Sequence, residues 1–136
     1  MKEFTFGTFG PEHLKKIQKG VHAFNNEQFW ECHELLEDIW LEDRNDPARM
    51  IYWAIIQVAN TLYHHRNDNL EGATGQLFKA KNKFERCHEQ KSLTNLTEKF
   101  LNWSKLESEV YKINLETAVL KDFLPLSKFK FDNYPY

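Results

Sequence analysis

Apolar residues recur at helical spacing along most of the chain, and polar breaks mark where each run stops. Leu14, Ile17, Val21 and Phe24 share one side of residues 11–24, and Pro11 suits a first helical position, where its missing N–H is not needed. Asn25 with Gln28 three residues on resembles a capping box ahead of a second helix over about 27–43. Asp46-Pro47 is a turn signal, and Pro47 can open a third helix to about residue 65. That segment holds the longest apolar-rich run, "MIYWAIIQVANTLY", and is predicted to be buried on most sides. "RNDN" at 66–69 breaks it, and Asn69 is placed to cap a fourth helix over 70–90 that aligns Ala73, Leu77, Ala80, Phe84 and Cys87. Gly72 and Gly75 each weaken that helix by about 1 kcal/mol relative to Ala, and glycines there permit close approach of a neighbour. Two weaker helices, 93–104 and 105–122, and an extended tail over 123–136 complete the pattern, the tail packing Leu126, Phe129 and Phe131 across the bundle. The fold predicted is all-α: a small antiparallel bundle of four core helices in one domain over 1–136, with a C-terminal helical extension closing one side.

Composition agrees with a packed chain. Of 136 residues, 41% are apolar, including 11 Phe, 4 Trp and 5 Tyr, enough to build a core and to exclude general disorder. The formal charge of −2 lacks the basic excess of a non-specific nucleic-acid binder. The apolar run is too short to span a bilayer and contains Gln57 and Asn60, so no membrane partner is expected. "MKEFTFGTFGPEHLKK" has no continuous apolar segment of the kind a secretory signal needs. Cys32 and Cys87 lack CxxC spacing and read as reduced thiols of a cytoplasmic protein. The second helix is rich in Glu and Asp, while the fourth carries Lys79, Lys81, Lys83 and Arg86. Two solvated faces account for this; a homodimer contact is the sharper alternative.

The chemistry that stands out is in "FWECHELLEDIW", residues 29–40. His33 and Glu37 are four apart and so share a helical face, and Trp40 lies one turn further on. The third helix offers a matching polar set in Gln57, Asn60 or Thr61, and His64. If the two helices pack antiparallel, as their short connection suggests, a buried or half-buried cluster of His33, Glu37, Gln57 and His64 results, walled by Trp and Phe. One reading is a self-satisfied hydrogen-bond network that holds the helices together. The other is a site, because two ionisable groups on one apolar face exceed what packing needs. His33, Glu37 and His64 could form a two-His-one-carboxylate metal set, or Glu37 could act as a general base with His33 as partner. "HELLE" differs from a zinc-protease HExxH because Glu37 stands where the second His belongs, and "ERCH" at 85–88 lacks the second copy a di-iron bundle requires. No particular cofactor is implied.

"AFNNEQFWECHELLEDIW", the late His64 and "DNLEGA" at 68–73 together resemble the family called domain of unknown function 309, with His-Glu-x-x-Glu-x-x-Trp matched by His33, Glu34, Glu37 and Trp40. Its Gly-Asn-x-x-Gly-Ala is matched by Asn69, Gly72 and Ala73, with Asp68 in place of the first Gly. The resemblance covers about residues 13–90. It implies a small all-α bundle and no reaction. Two functions are therefore carried forward: a polar pocket that binds a small ligand or metal, or a protein-interaction or scaffold module whose His–Glu cluster is structural. A cavity reaching solvent beside Glu37 favours the first, an enclosed and fully bonded cluster favours the second, and a Glu37 stranded on an exposed face speaks against both.

Overall fold

The computed structural model describes residues 8–136; residues 1–7, the start of the stretch read for a secretion signal, lie outside the described residues. The described residues form eight α-helices and no strands: α1 (Pro11–Lys16), α2 (Gln18–Asn25), α3 (Phe29–Glu42), α4 (Met50–Arg66), α5 (Leu70–Glu89), α6 (Asn95–Leu101), α7 (Trp103–Tyr111) and α8 (Leu124–Ser127). Short 3-10 turns at Pro47–Arg49 and Leu120–Phe123 lead into α4 and α8. The core lies among α2–α5, with α4 packed between α3 and α5. Burial of Met50, Ile51, Ala54, Ile55, Val58, Ala59 and Leu62 leaves α4 few polar faces, as its sequence requires.

The predicted first helix is divided at Ile17 (φ −89°, ψ 8°) into α1 and α2. The halves are held by different neighbours. His13 is buried; its Nδ1 accepts from the Gly10 N–H at 2.8 Å, so its Nε2 carries the proton donated to Asp46 Oδ2 at 2.6 Å. Lys16 meets Asp43 at 2.8 Å, and Asp43 also accepts from the Tyr52 hydroxyl, whose pKa burial and that bond push upward. This ties α1 to the α3–α4 connection. α2 instead lies on α3, where a Cβ at Gly20 would stand 2.4 Å from Leu36 Cδ2.

Three helices close on a left-handed residue that is not glycine and share one hydrogen-bond pattern. Glu27 (φ 60°), Asp68 (φ 56°) and Lys91 (φ 55°) close α2, α4 and α5. At each, the next N–H bonds back five residues: Gln28 to Ala23, Asn69 to His64 and Ser92 to Cys87. This is the Schellman closure that glycine usually makes.

The C-terminal region differs from the pattern read in sequence. The break between its two helices is at Asn102 (φ 50°, ψ 47°), and α7 stops at Tyr111, well short of residue 122. Beyond it the Asn114 side chain captures the Glu116 N–H at 2.9 Å, a local bond that competes with helix. The tail is not extended throughout: it opens with the 3-10 turn and α8 before losing regular structure. It does bury Leu126, Phe129 and Phe131, and Phe131 sits 4.9 Å from the Phe24 ring. Asn25 fastens it from both sides, donating to the Phe131 carbonyl at 3.2 Å and accepting its N–H at 2.8 Å.

Candidate functional site

α3 and α4 run antiparallel, so that Trp30 meets Tyr63 (ring centroids 5.3 Å) and Trp40 meets Trp53 (4.9 Å). Between these aromatic pairs, the 33/37/40 edge of α3 faces the 53/57/60 edge of α4, each with helical spacings of four and three. His33, Glu37, Trp40, Trp53, Ile56, Gln57 and Asn60 line a cavity of about 210 Å³. The far wall is stiffened from outside. Arg49 lies over the Trp40 ring at 3.9 Å while donating to the Trp40 carbonyl, and Lys83 lies over Trp53 at 4.1 Å. Burial, with Arg86 and Lys79 nearby, lowers the Lys83 pKa.

His33 Nε2 is 2.7 Å from Glu37 Oε2. A carboxylate only accepts, so Nε2 is the donor, and in the neutral imidazole Nδ1 presents its lone pair. Glu37 is not buried: its side chain is 49% exposed, against 19% for His33. It forms the rim at which the cavity meets solvent. Three buried polar atoms of these lining residues have no protein partner: His33 Nδ1, Trp40 Nε1 and Gln57 Oε1. Gln57 is only 8% exposed. Native structures rarely leave such groups unbonded, and here three belong to one lining.

The residues singled out in sequence thus divide into two groups. His33, Glu37, Trp40 and Gln57 come together. His64 does not join them and is corrected to a different place, the α4–α5 turn. Its Nδ1 accepts from Asn69 Nδ2 at 3.1 Å, and Asn69 Oδ1 caps α5 by accepting the Gly72 N–H at 2.9 Å. A Cβ at Gly72 would lie 2.7 Å from the His64 ring, so glycine makes room for the imidazole. His64, Asn69 and Gly72 are one structural clip. The proposed His33–Glu37–His64 metal set therefore fails, and no group of three or more His, Cys, Asp or Glu among the described residues is placed to hold a metal. Thr61, the alternative to Asn60, is buried and bonds the Gln57 carbonyl at 2.8 Å. Trp53 and Ile56 were missed; Trp53 lies four residues before Gln57 on the same edge, a signal present in the spacing.

Elsewhere, a larger groove of about 620 Å³ between α1–α2 and α3 is lined by Lys15, Lys16, Lys19, Asp38 and Glu42 among others. None of the unpartnered buried atoms lies there, so size alone does not make it the better site. Cys32 and Cys87 are fully buried, and burial raises both thiol pKa values, Cys87 to about 12. Neither lines the cavity.

Fold and site together define a small all-α chain with a half-open polar cavity between two antiparallel helices. Residues 17–76 match the family described as "Domain of unknown function (DUF309)". They contain α2, α3, α4 and the start of α5, and with them every residue of the cavity. The chain is also similar to the uncharacterized protein YpuF of Bacillus subtilis (strain 168), 44% identical over 45 residues. That match takes in 33% of this chain and 26% of YpuF, so the chain spans about a quarter of that relative's length. No solved structure gives a significant match. Among the described residues, no helix is long and apolar enough to cross a membrane.

Proposed function

We propose that the protein binds a small polar molecule in the α3–α4 cavity, with His33, Trp40 and Gln57 as its contacts and Glu37 at the rim. The observation that carries this reading is that three buried, unpartnered polar atoms belong to residues of one cavity lining. A structural network would use those atoms on one another; here only the His33–Glu37 bond is made, at the solvent edge. Binding is favoured over catalysis because no Ser, Thr, Cys or Lys lines the cavity and its one carboxylate, Glu37, stands half-exposed at the rim. The reduced, buried thiols support a cytoplasmic setting, and the charge of −2 supports a small molecule over nucleic acid.

The test is a fragment titration of protein labelled with nitrogen-15, reading the Trp40 indole N–H, assigned by its loss in Trp40→Phe. Saturable shifts of that signal by at least one small polar fragment, weakened in Gln57→Leu, are expected. A library of acids, amides, amines and sugars that leaves the signal unmoved would overturn the reading.

A further inference from the structure

The polarity of the three free atoms specifies more than a site, granted that the cavity binds a ligand as proposed above. Trp40 Nε1–H is a donor with no accepting capacity. Gln57 Oε1 is an acceptor. His33 Nδ1 is also an acceptor in the neutral imidazole, whose one proton sits on Nε2 and is donated to Glu37. A ligand that completes all three bonds supplies one acceptor and two N–H or O–H donors. The Glu37 carboxylate at the mouth repels an anion, and the nearby cations, Arg49 and Lys83, stand behind the indole walls and are not among the lining residues that a ligand would touch. An ionised carboxylate, moreover, only accepts and leaves Gln57 Oε1 and His33 Nδ1 without donors, so it is disfavoured. The cavity is bounded by the two indoles and Ile56, surfaces that suit a flat apolar body. A cavity of roughly 150 Å³ holds a benzene ring, so about 210 Å³ holds a ring with a small substituent.

We infer that the cavity recognises a planar, uncharged group in which a primary amino nitrogen and an acceptor atom, either a carbonyl oxygen or a ring nitrogen, are bonded to the same unsaturated carbon. The amino group donates to Gln57 Oε1 and His33 Nδ1, and the acceptor atom receives the Trp40 Nε1–H. A primary carboxamide and an amino-substituted nitrogen heterocycle present the same three-point edge. Glu37 and Asn60 are where the rest of such a molecule leaves the cavity. Glu37 is then a positioning residue: it fixes the His33 tautomer, so that an acceptor rather than a donor faces the ligand.

The experiment uses wild-type protein and four probes, again read at the Trp40 indole N–H. Benzamide and 2-aminopyrimidine carry the edge in its two forms; benzoate replaces the amino group by a negative oxygen; N,N-dimethylbenzamide keeps the carbonyl and loses both donors. At least one amino probe is expected to bind saturably, with benzoate and the dimethyl amide about tenfold weaker or more, the value of one good hydrogen bond. The tighter of the two amino probes identifies the carboxamide or the heterocycle as the source. Benzoate or the dimethyl amide binding as well as benzamide overturns the inference, because the cavity is then not reading N–H donors. Failure of both amino probes also overturns it. The ligand-site reading survives such a failure if other fragments move the Trp40 signal, and falls with it if none does. Glu37→Gln separates positioning from simple charge. Its amide carbonyl can still accept the His33 Nε2 proton, so it should strengthen benzoate and leave the amino probes nearly unchanged, whereas Glu37→Leu should weaken the amino probes; amino probes that bind Glu37→Leu as well as wild type would remove the tautomer role.

Discussion

His33 is held by a single bond to a half-exposed carboxylate, and its other nitrogen is buried without a protein partner. That arrangement contributes little to folding, since exposed i,i+4 pairs are worth about 0.3–0.5 kcal/mol. His33→Leu removes the pair, but Glu37 keeps its water, and a buried unbonded nitrogen disappears. Urea unfolding of His33→Leu should therefore give a stability within about 1 kcal/mol of wild type, or above it. A loss beyond ~2 kcal/mol would instead mark the pair as a structural tie. The thiols behave in the opposite way. Burial, aided by Glu107, holds the Cys87 thiol at about 12 against its ordinary 9.0. Between those values the unfolded chain sheds the proton while the folded chain keeps it. The thiol's contribution to stability is thus complete below pH 9 and is lost as pH rises toward about 12. Native protein at pH 8 should resist a thiol reagent such as Ellman's, and both cysteines should react once it is unfolded; rapid labelling of the native chain would show that they are not buried as described.

Helix ends and helix contacts are the next level. Asp68 closes α4 at φ 56°, a conformation that costs a residue with a Cβ about 1 kcal/mol or more relative to Gly. The family pattern to which this turn is similar has Gly there, and the left-handed backbone supplies the reason. Asp68→Gly should raise stability by about 1 kcal/mol in denaturant titrations, with no effect on ligand binding at the cavity. Glycines inside helices separate by what surrounds them. At Gly20 a Cβ would meet Leu36 at 2.4 and 2.5 Å, so Gly20→Ala should cost about 1–3 kcal/mol by forcing α2 and α3 apart. Gly75 has nothing within 4 Å of a built Cβ, and Gly75→Ala should stabilise α5 by about 0.5–1 kcal/mol. Similar midpoints for the two variants would show that the α2–α3 approach is not set by that glycine.

Across the whole molecule, residues far apart in sequence close the core. Phe131, 1% exposed, packs on Phe24 and Phe129, and its backbone is pinned by Asn25, 106 residues earlier. The tail is therefore part of the core rather than an appendage. Phe131→Ala should cost about 3–5 kcal/mol, read by thermal or urea unfolding. A cost below ~1 kcal/mol would mean that the tail detaches without opening the bundle. α1 is held in a comparable way through the His13–Asp46 and Lys16–Asp43 contacts, which reach across about thirty residues to the α3–α4 connection.

Periodicity was enough for the central architecture. Alternating core and solvent faces at 3.6-residue spacing, Pro47 after Asp46, and Asn69 before an apolar stripe mark α3, α4 and α5 to within a few residues, because those signals are local. The C-terminal helices were less legible. Asn102 at φ 50° and the Asn114 side-chain bond end helices that propensity alone would continue. The candidate site was legible in part. His33, Glu37 and Trp40 share an edge by spacing alone, and Gln57 follows once α3 and α4 are antiparallel. His64 fits the same spacing arithmetic, yet the α4–α5 turn takes its imidazole, since Asn69 and Gly72 lie nearer than the cavity does. The spacing predicts a Glu37 buried or half-buried with the others; its side chain instead lies half-exposed at the rim. The context of His13 was invisible because its partner is 33 residues away. By itself, then, the sequence determined which segments are helical, which faces are apolar and which polar side chains share a helical edge, all consequences of a repeat measured along one chain. Only the tertiary structure decided which edges meet, which histidine enters the cavity and which polar atoms are left for a ligand, because those depend on how helices are rotated against one another, and rotation is set by packing.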